Sequence, residues 1–480
     1  MCLHVCVHPS NVIINIKLKL AYGIGAFANG VKTDAFTYLL LFFYANVVGL
    51  APALASLAIL IALIFDAFTD PLMGLISDRT NTRYGKRHPF FLLAILPACF
   101  SFYLLFSVNT VSDWTQTELF VWILSFTILT RLGMTMFEVP HRAFGAEISS
   151  SYTERTSIFA YREQFTWIGG LTNALLAYGL FLRDTPDYIP GTRNPEPWDD
   201  LAIVGGLLMA LTIMISFFGT LKYANLSISK ALSFSLSEIF SSTKKAVTNH
   251  SFRIFFFGYL FIAIGWGMGS SLQLYMNTYV WEFKSQMMTS FLFVYFIATF
   301  FAFLLVPKLG LYFEKRSILL WSIALAGLVH AMPVTFYFLD WLPEKGTWDL
   351  FFALTPFVFL ANAPLAASAI IRESMLGDIS DEVHSLTGKN QRGLMFASSS
   401  LIGKLNSGLG IFISGLALQI INFPRGTGVV PSSEAVTNLA LIQGPLVSLL
   451  LLIPFVIFSF YTIDKKQHEV TLRELGKITD

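Results

Sequence analysis

Phe65-Asp66-Ala67-Phe68-Thr69-Asp70-Pro71 places two carboxylates inside an otherwise apolar run from Leu50 to Ile76. The run is long enough to cross a bilayer, and an ionised aspartate at the centre of a spanning helix costs roughly 2.5–3.5 kcal/mol on insertion scales. Asp66 and Asp70 are four residues apart, so on a helix they stand one above the other on one face. Pro71 has no N–H to give and frees the carbonyl of Ala67, which lies between the two acids in sequence. Carboxylates with a freed carbonyl make a hard-oxygen site suited to sodium, lithium or a proton. A pair of structural acids buried against Lys or Arg of another helix is the alternative, and both readings stay open at this stage.

The rest of the chain has the composition of a polytopic membrane protein. Its 480 residues are 55% hydrophobic, 15% aromatic and only 13% charged, against about 25% charged in an ordinary soluble domain; mean hydropathy is +0.63. Residues 1–15 lack the basic start and clean apolar core of a cleavable signal, so the first hydrophobic span is expected to direct insertion. Cys2, His4, Cys6 and His8 have a faint metal-ligand spacing but read as a terminal tail. Cys99 reads as a small core residue.

Apolar runs of spanning length fall near 20–46, 50–76, 89–108, 118–140, 160–182 and 200–221, then 252–281, 287–307, 317–339, 348–371, 394–421 and 437–463. The expectation is an all-α protein of about twelve transmembrane helices in two six-helix halves. Basic residues fall on alternate loops: Arg79, Arg83, Lys86 and Arg87; Arg142 and Arg155; Lys222, Lys230, Lys244 and Lys245; Lys315 and Arg316; Lys389 and Arg392. The intervening loops are poor in basic residues or acidic, as at Asp184, Asp187, Glu196, Asp199 and Asp200. The positive-inside rule then puts both termini in the cytoplasm. The expected organisation is a tail at 1–19, a first half at 20–221, a Ser- and Lys-rich linker at 222–251, a second half at 252–463 and a tail at 464–480.

The halves echo each other. Gly74-Leu-Ile-Ser-Asp78-Arg79 closes the second span and Gly310-Leu-Tyr-Phe-Glu314-Lys315 the eighth; Gly145-Ala-Glu147 follows the fourth and Gly377-Asp378 the tenth. That is the pattern of a secondary transporter with its site between the halves near the midplane.

Further polar residues mark candidate positions. Phe137-Glu138-Val139-Pro140 repeats the logic of acid followed by proline; Pro140 frees the carbonyl of Met136, and Glu138 is a candidate to complete the cation shell or to bond a substrate hydroxyl. The first span contributes Asn29, Lys32, Thr33, Asp34 and Thr37, with Gly30, Asp34 and Tyr38 on one stripe; a water-lined cavity and close helix packing both account for it. Asp34 joins Asp66, Asp70 and Glu138 as a candidate cation ligand; Asn29, Asp34, Glu138, Arg162 and Lys404 are candidate substrate residues. Lys404 lies deep in the eleventh span and needs a partner, for which the second-span acids are candidates. A cytoplasmic latch is expected to draw on Asp78, Arg79, Arg83, Arg142, Asp378 and Asp381, although Asp378 and Asp381, with Glu373, have the placement of a solvated face. No nucleophile–base set, phosphate loop or metal-ligand cluster is evident in the spans, so no enzyme, cofactor or nucleic-acid partner is expected.

With Asp66-xxx-Asp70-Pro71-xx-Gly74-xxx-Asp78-Arg79-Thr80 and Arg83-x-Gly85-Lys86-x-x-Pro89, the chain resembles the glycoside–pentoside–hexuronide:cation symporters, the melibiose-permease-like branch of the major facilitator superfamily. Tyr22-Gly23-Ile24-Gly25-Ala26-Phe27, Val47-Val48-Gly49-Leu50, Pro140, Glu154-Arg155, Asp378-xx-Asp381 and Lys404 extend the likeness over nearly the whole chain. The resemblance implies that Asp66 and Asp70 hold the coupling cation, sodium or a proton with lithium as a possible substitute. It also implies that Glu138 matches a family aspartate, and that a monomer in the inner membrane carries a glycoside, pentoside or hexuronide by alternating access.

The departures bear on the substrate. The family's first-span Lys-Asp pair falls on Asn29 and Gly30, its sugar-stacking aromatics fall on Arg142 and Ala369, and its arginine aligns one position from Arg162. A site with Arg142, Arg162, Arg372 and Lys404 in reach suits an anionic substrate such as a hexuronide. The rival expectations are a carrier for a lysolipid or another amphipathic solute, an uncoupled facilitator and, more remotely, a non-transporting membrane sensor.

Overall fold

The structure, a computed structural model, describes residues 15–107, 114–148, 152–224, 249–387 and 392–475. Cys2, His4, Cys6 and His8, most of the linker with Lys230, Lys244 and Lys245, Lys389, and the side chains of Arg155 and Arg392 lie outside the described residues.

Helical stretches fill all twelve expected spans. The first is assembled from α1 (Ile16–Gly23), α2 (Ala26–Asp34), a π-helical segment Ala35–Leu39, α3 (Leu40–Phe42) and a second π-helical segment Phe43–Val48. It ends at Gly49, whose φ of 88° needs the freedom of glycine. There follow α4 (Pro52–Arg79), α5 (His88–Phe106), α6 (Gln116–Glu147), α7 (Tyr152–Leu176) and α8 (Pro197–Thr220). Beyond the linker come α9 (His250–Tyr275), α10 (Ser285–Tyr312), α11 (Lys315–Phe338), α12 (Trp348–Thr387), α13 (Arg392–Ile420), α14 (Ser433–Leu441), α15 (Val447–Phe458) and a terminal α16 (Lys465–Glu474).

Several helices outrun their expected limits, among them three that contain a proline. Pro140 does not end α6, which continues to Glu147, and α12 runs on from residue 371 to Thr387. In a packed bundle, neighbouring helices satisfy the groups that a proline frees, so the helix passes through. The same holds for Pro71 inside α4, which reaches Arg79.

Among the described residues nine helices are long and apolar enough to cross a membrane. The first span is interrupted by its two π-helical segments, and in α13 the stretch Ser407–Ile420 is apolar among the described residues. Large apolar side chains such as Leu96, Leu207, Phe303 and Trp321 face outward from the helices, the exposure expected of lipid-facing positions.

Contacts sort the chain into two units. The first comprises 1–36, 64–177 and 196–233, the second 37–63, 178–195 and 234–480. This partition departs from the division at the linker, because residues 37–63 and 178–195 of the first half pack with the second.

Within the first unit small residues bring helices together. A Cβ on Gly30 would stand 2.0 Å from the Thr166 carbonyl oxygen, and one on Gly169 2.2 Å from that of Phe27, so α2 and α7 touch backbone to backbone. Close packing therefore accounts for Gly30 on the first-span stripe. Within the second unit Gly267 and Gly410 bring α9 and α13 together in the same way, with 2.4 Å to Ser407 O and 2.3 Å to Ile264 O. Phe252, Phe255, Leu319, Met375, Leu376, Ile379 and Phe458 form its buried core.

Candidate cation and substrate site

Helix α4 turns Asp66, Thr69, Met73 and Ser77 inward, while Phe65, Phe68, Leu72 and Ile76 face out. This is the stripe that a helical period gives a half-buried span. Asp66 meets a base: Arg131 Nη1 of α6 donates to Asp66 Oδ2 at 2.7 Å, with side chains only 9% and 5% exposed. The guanidinium carbon lies 5.1 Å from the centroid of the Phe36 ring, within the range of a cation–π contact. One turn further, Thr135 Oγ1 donates to Asp70 Oδ1 at 2.8 Å. Each contact joins residues 65 apart in the chain. Helices α4 and α6 thus run parallel and in register, making two rungs of a ladder: acid–base below, acid–hydroxyl above.

Arginine stays charged at any physiological pH, so the Asp66 rung is an ion pair without net charge, while the other rung includes a neutral hydroxyl donor, Thr135. Asp66 Oδ1 and Arg131 Nε are buried and have no hydrogen-bond partner among the described residues. Asp70 is only partly buried. The Thr69 hydroxyl donates within its own helix, to Phe65 O at 3.3 Å and Asp66 O at 3.4 Å. Sequence reasoning did not single out Arg131 or Thr135. The signal for Arg131 was present, a lone base amid the apolar stretch Phe120–Met136; nothing marked Thr135 beyond its placement one turn from that base.

Glu138 anchors a second cluster. Its Oε1 accepts from Arg142 Nη2 at 2.6 Å and from Arg162 Nη2 at 3.1 Å, and Lys32 Nζ lies 4.0 Å from Oε2. Arg162 also donates from Nη1 to Glu163 at 2.6 Å. Bases from α2, α6 and α7 therefore converge on one buried carboxylate, and with Glu163 counted the cluster holds three positive and two negative charges. Arg142 is half-exposed while Arg162 is buried. Asp34, on α2, accepts from Asn173 Nδ2 of α7 at 2.8 Å. Asn29 Oδ1 accepts from Thr33 at 3.5 Å, a contact within one helix.

Asp66 and Asp70 share the α4–α6 ladder, Glu138 and Arg162 share the basic cluster, and Asp34 sits with Asn173. Lys404, of the second unit, is half-buried, with Ser407 Oγ donating to its carbonyl at 2.9 Å. Arg372, also of that unit, lies over Tyr259, 4.5 Å from its ring centroid, and donates to Ser368 O at 3.3 Å.

At the end of α4, Asp78 is gripped by Arg87, which also donates to Glu147 Oε1 at 2.7 Å and to Ser77 Oγ at 2.6 Å. Burial opposes the Arg87 charge, but the hydrogen bond and charge of Glu147, with those of Asp78, outweigh it and hold the guanidinium proton more tightly than usual. Two expected latch members stand apart: Arg79 is exposed, and Arg83 lies over Tyr84. In the second unit Asp378 accepts from Lys315 at 2.6 and 2.8 Å and lies 3.5 Å from His468 of α16. The expected solvated face is absent there. Asp378 and Asp381 are each 8% exposed because α12 continues past them between α11 and α16.

Comparison with known proteins places this geometry in a family. A candidate glycoside/cation symporter of Escherichia coli K12 is 25% identical, over 97% of this chain and 95% of the relative. The sodium-dependent lysophosphatidylcholine symporter 1 of Mus musculus is 23% identical, over 97% and 89%. Among solved structures, the inward-open xylose transporter of E. coli superposes with a TM-score of 0.61 at 14% identity, covering 97% of this chain and 99% of that one. Such a likeness speaks for the all-helical major facilitator fold. The sequence model described as MFS/sugar transport protein matches residues 21–465, and the chain belongs to that family of membrane symporters, in its melibiose-permease-like branch.

Proposed function

We propose that the protein imports a glycoside or hexuronide together with a monovalent cation, sodium or a proton, across the inner membrane, as a monomer with both termini in the cytoplasm. The observation that carries this reading is the α4–α6 ladder: two carboxylates one turn apart in a membrane-spanning helix, with Pro71 directly after the second. Cation binding at these acids raises substrate affinity; by reciprocity substrate raises cation affinity by the same factor. Alternating access then moves both together.

The cluster around Glu138 supports an anionic substrate. Lys32, Arg142 and Arg162 outnumber Glu138 and Glu163, and a uronate carboxylate would meet the half-exposed guanidinium of Arg142.

The test is uptake of labelled sugars and uronides into proteoliposomes, with and without an inward sodium or proton gradient, for wild type and Asp70→Asn. Accumulation that requires a gradient and is lost in the variant is expected. Accumulation indifferent to both makes the protein a facilitator, and uptake of lysolipid in place of sugar moves it to the other branch of its relatives.

A further inference from the structure

Resting on the reading of an alternating-access carrier, we infer that the π-helical ends of the first and seventh spans, Phe43–Val48 and Met276–Val280, are the hinges of a gate. The gate closes the pathway on the side opposite the basic loops, and the hydrogen bond between Tyr279 and Asn46 is its latch.

The two segments occupy equivalent places in the two six-helix halves, and both lie within the second unit. A π-helical turn is rare and occurs most often at functional positions. Here one π-helical segment meets the other: Tyr279 Oη donates to Asn46 Oδ1 at 2.9 Å. Just before them in each span, Tyr275 Oη donates to Leu41 O at 3.4 Å. Phe423, from the loop after α13, packs on Tyr275 and Tyr279 with ring centroids 5.6 and 5.0 Å away. That loop also returns to the first span, where Gly426 N donates to Ala45 O at 2.9 Å. The fifth span ends π-helically as well, in Ala177–Phe181, and leads into Leu182 and Asp184, which both accept from Ser285 at the start of α10. Each of these contacts ties first-half chain to second-half chain, at the ends of spans whose loops alternate with the basic ones.

Neutral hydrogen bonds and ring contacts suit a closure that must part in every cycle, because each contributes modestly, whereas a buried ion pair is costly to break. Asn46 Nδ2 is buried with no hydrogen-bond partner among the described residues, so opening to water gives that amide a bond it lacks when shut. Restoring α-helical hydrogen bonding in either segment turns its end by about 100°, one residue's step, and carries Asn46 or Tyr279 off its partner.

The experiment reads access to a reporter cysteine, Gln273→Cys, placed six residues before Tyr279 at a partly open position of α9. It uses the full-length protein with Cys2, Cys6 and Cys99 replaced by serine. A membrane-impermeant maleimide is applied to right-side-out and to inside-out vesicles. Tyr279→Phe removes one hydroxyl and keeps the ring. It is expected to raise labelling from the outer face about twofold to tenfold, the weight of one hydrogen bond in a closed–open equilibrium, and to leave labelling from the inner face within about twofold. An unchanged outer-face rate, or an equal rise on both faces, overturns the inference.

A second arm bridges Asn46→Cys/Tyr279→Cys with a bifunctional methanethiosulfonate reagent. Bridging is expected to abolish uptake of labelled glucuronate and galactoside into proteoliposomes, and reductant to restore it. Continued uptake by the bridged protein overturns the gate and leaves symport intact. A reporter that responds as expected in a protein that takes up neither sugar leaves the gate standing and removes the sugar reading alone.

Discussion

Arg87 Nη2 stands 2.7 Å from Glu147 Oε1, tying the start of α5 to the end of α6. The second half repeats the device with Lys315 and Asp378, a base following the half's second span against an acid near the end of its fourth. The pairs differ in burial: Arg87 is 3% exposed and Lys315 38%.

That difference sets the first prediction. Arg87→Met leaves Asp78 and Glu147 facing each other without their base, and breaking a buried pair from one side costs about 3–5 kcal/mol. Lys315→Met removes a half-exposed partner and is expected to cost no more than about 1 kcal/mol. Melting temperatures of the two purified variants check the ranking; equal losses would show that Arg87 is no better shielded than Lys315.

Asp184 receives the N–H and hydroxyl of Ser285 at 3.2 and 2.9 Å and the N–H of Gly191 at 3.0 Å. It caps the N-terminus of α10 from a distant loop, where a negative charge also suits the helix dipole. Asp184→Ala is therefore expected to destabilise the protein by about 1–3 kcal/mol. Hydrogen exchange at Ser285–Met288 should rise while that of α5 stays put.

Backbone contact between α2 and α7 makes Gly30 intolerant of any side chain. Gly30→Ala must move a helix whose carbonyl lies 2.0 Å from the new atom, at about 1–3 kcal/mol. Gly310, with nothing within 4 Å of its would-be Cβ, is the contrast. Gly310→Ala in α10 should gain about 0.5–1 kcal/mol. Thermal melts with opposite signs for the two alanines are the expected result.

Much of the architecture was legible because lipid imposes it. Spans of some twenty apolar residues, basic loops on one side and an acid pair that no lipid-facing helix tolerates all leave marks in local composition. Less legible was whatever depends on how one helix meets another. Asp66 and Asp70 stood out from their neighbours, yet the pairing of Asp66 with Arg131 is settled by the register of α4 against α6, which no single stretch of sequence displays. Arg87 was counted as one of four loop charges, and only packing shows it buried between Asp78 and Glu147 while Arg79 and Arg83 stay in solvent. Asp378 and Asp381 read as solvated because they lie beyond an apolar run, but α12 continues as a helix and carries them inside.

The last prediction concerns the charge around Glu138. With Arg142 at 2.6 Å, Arg162 at 3.1 Å and Lys32 at 4.0 Å, Glu138 offsets part of a positive cluster, and replacing it by the isosteric neutral Glu138→Gln removes one negative charge without removing volume. Two unit charges about 5 Å apart interact by roughly 3 kcal/mol at an effective dielectric of 20, and partial exposure of Arg142 reduces what a ligand can feel to about half of that, near tenfold in affinity. The ratio of glucuronate to galactoside binding is therefore expected to rise about tenfold in Glu138→Gln, and to fall in Arg142→Gln, which withdraws the half-exposed base. Isothermal titration of both ligands against both variants measures the ratio directly. A ratio unmoved by either substitution would place the substrate away from this cluster and leave Glu138 as the structural counter-ion of α6 and α7.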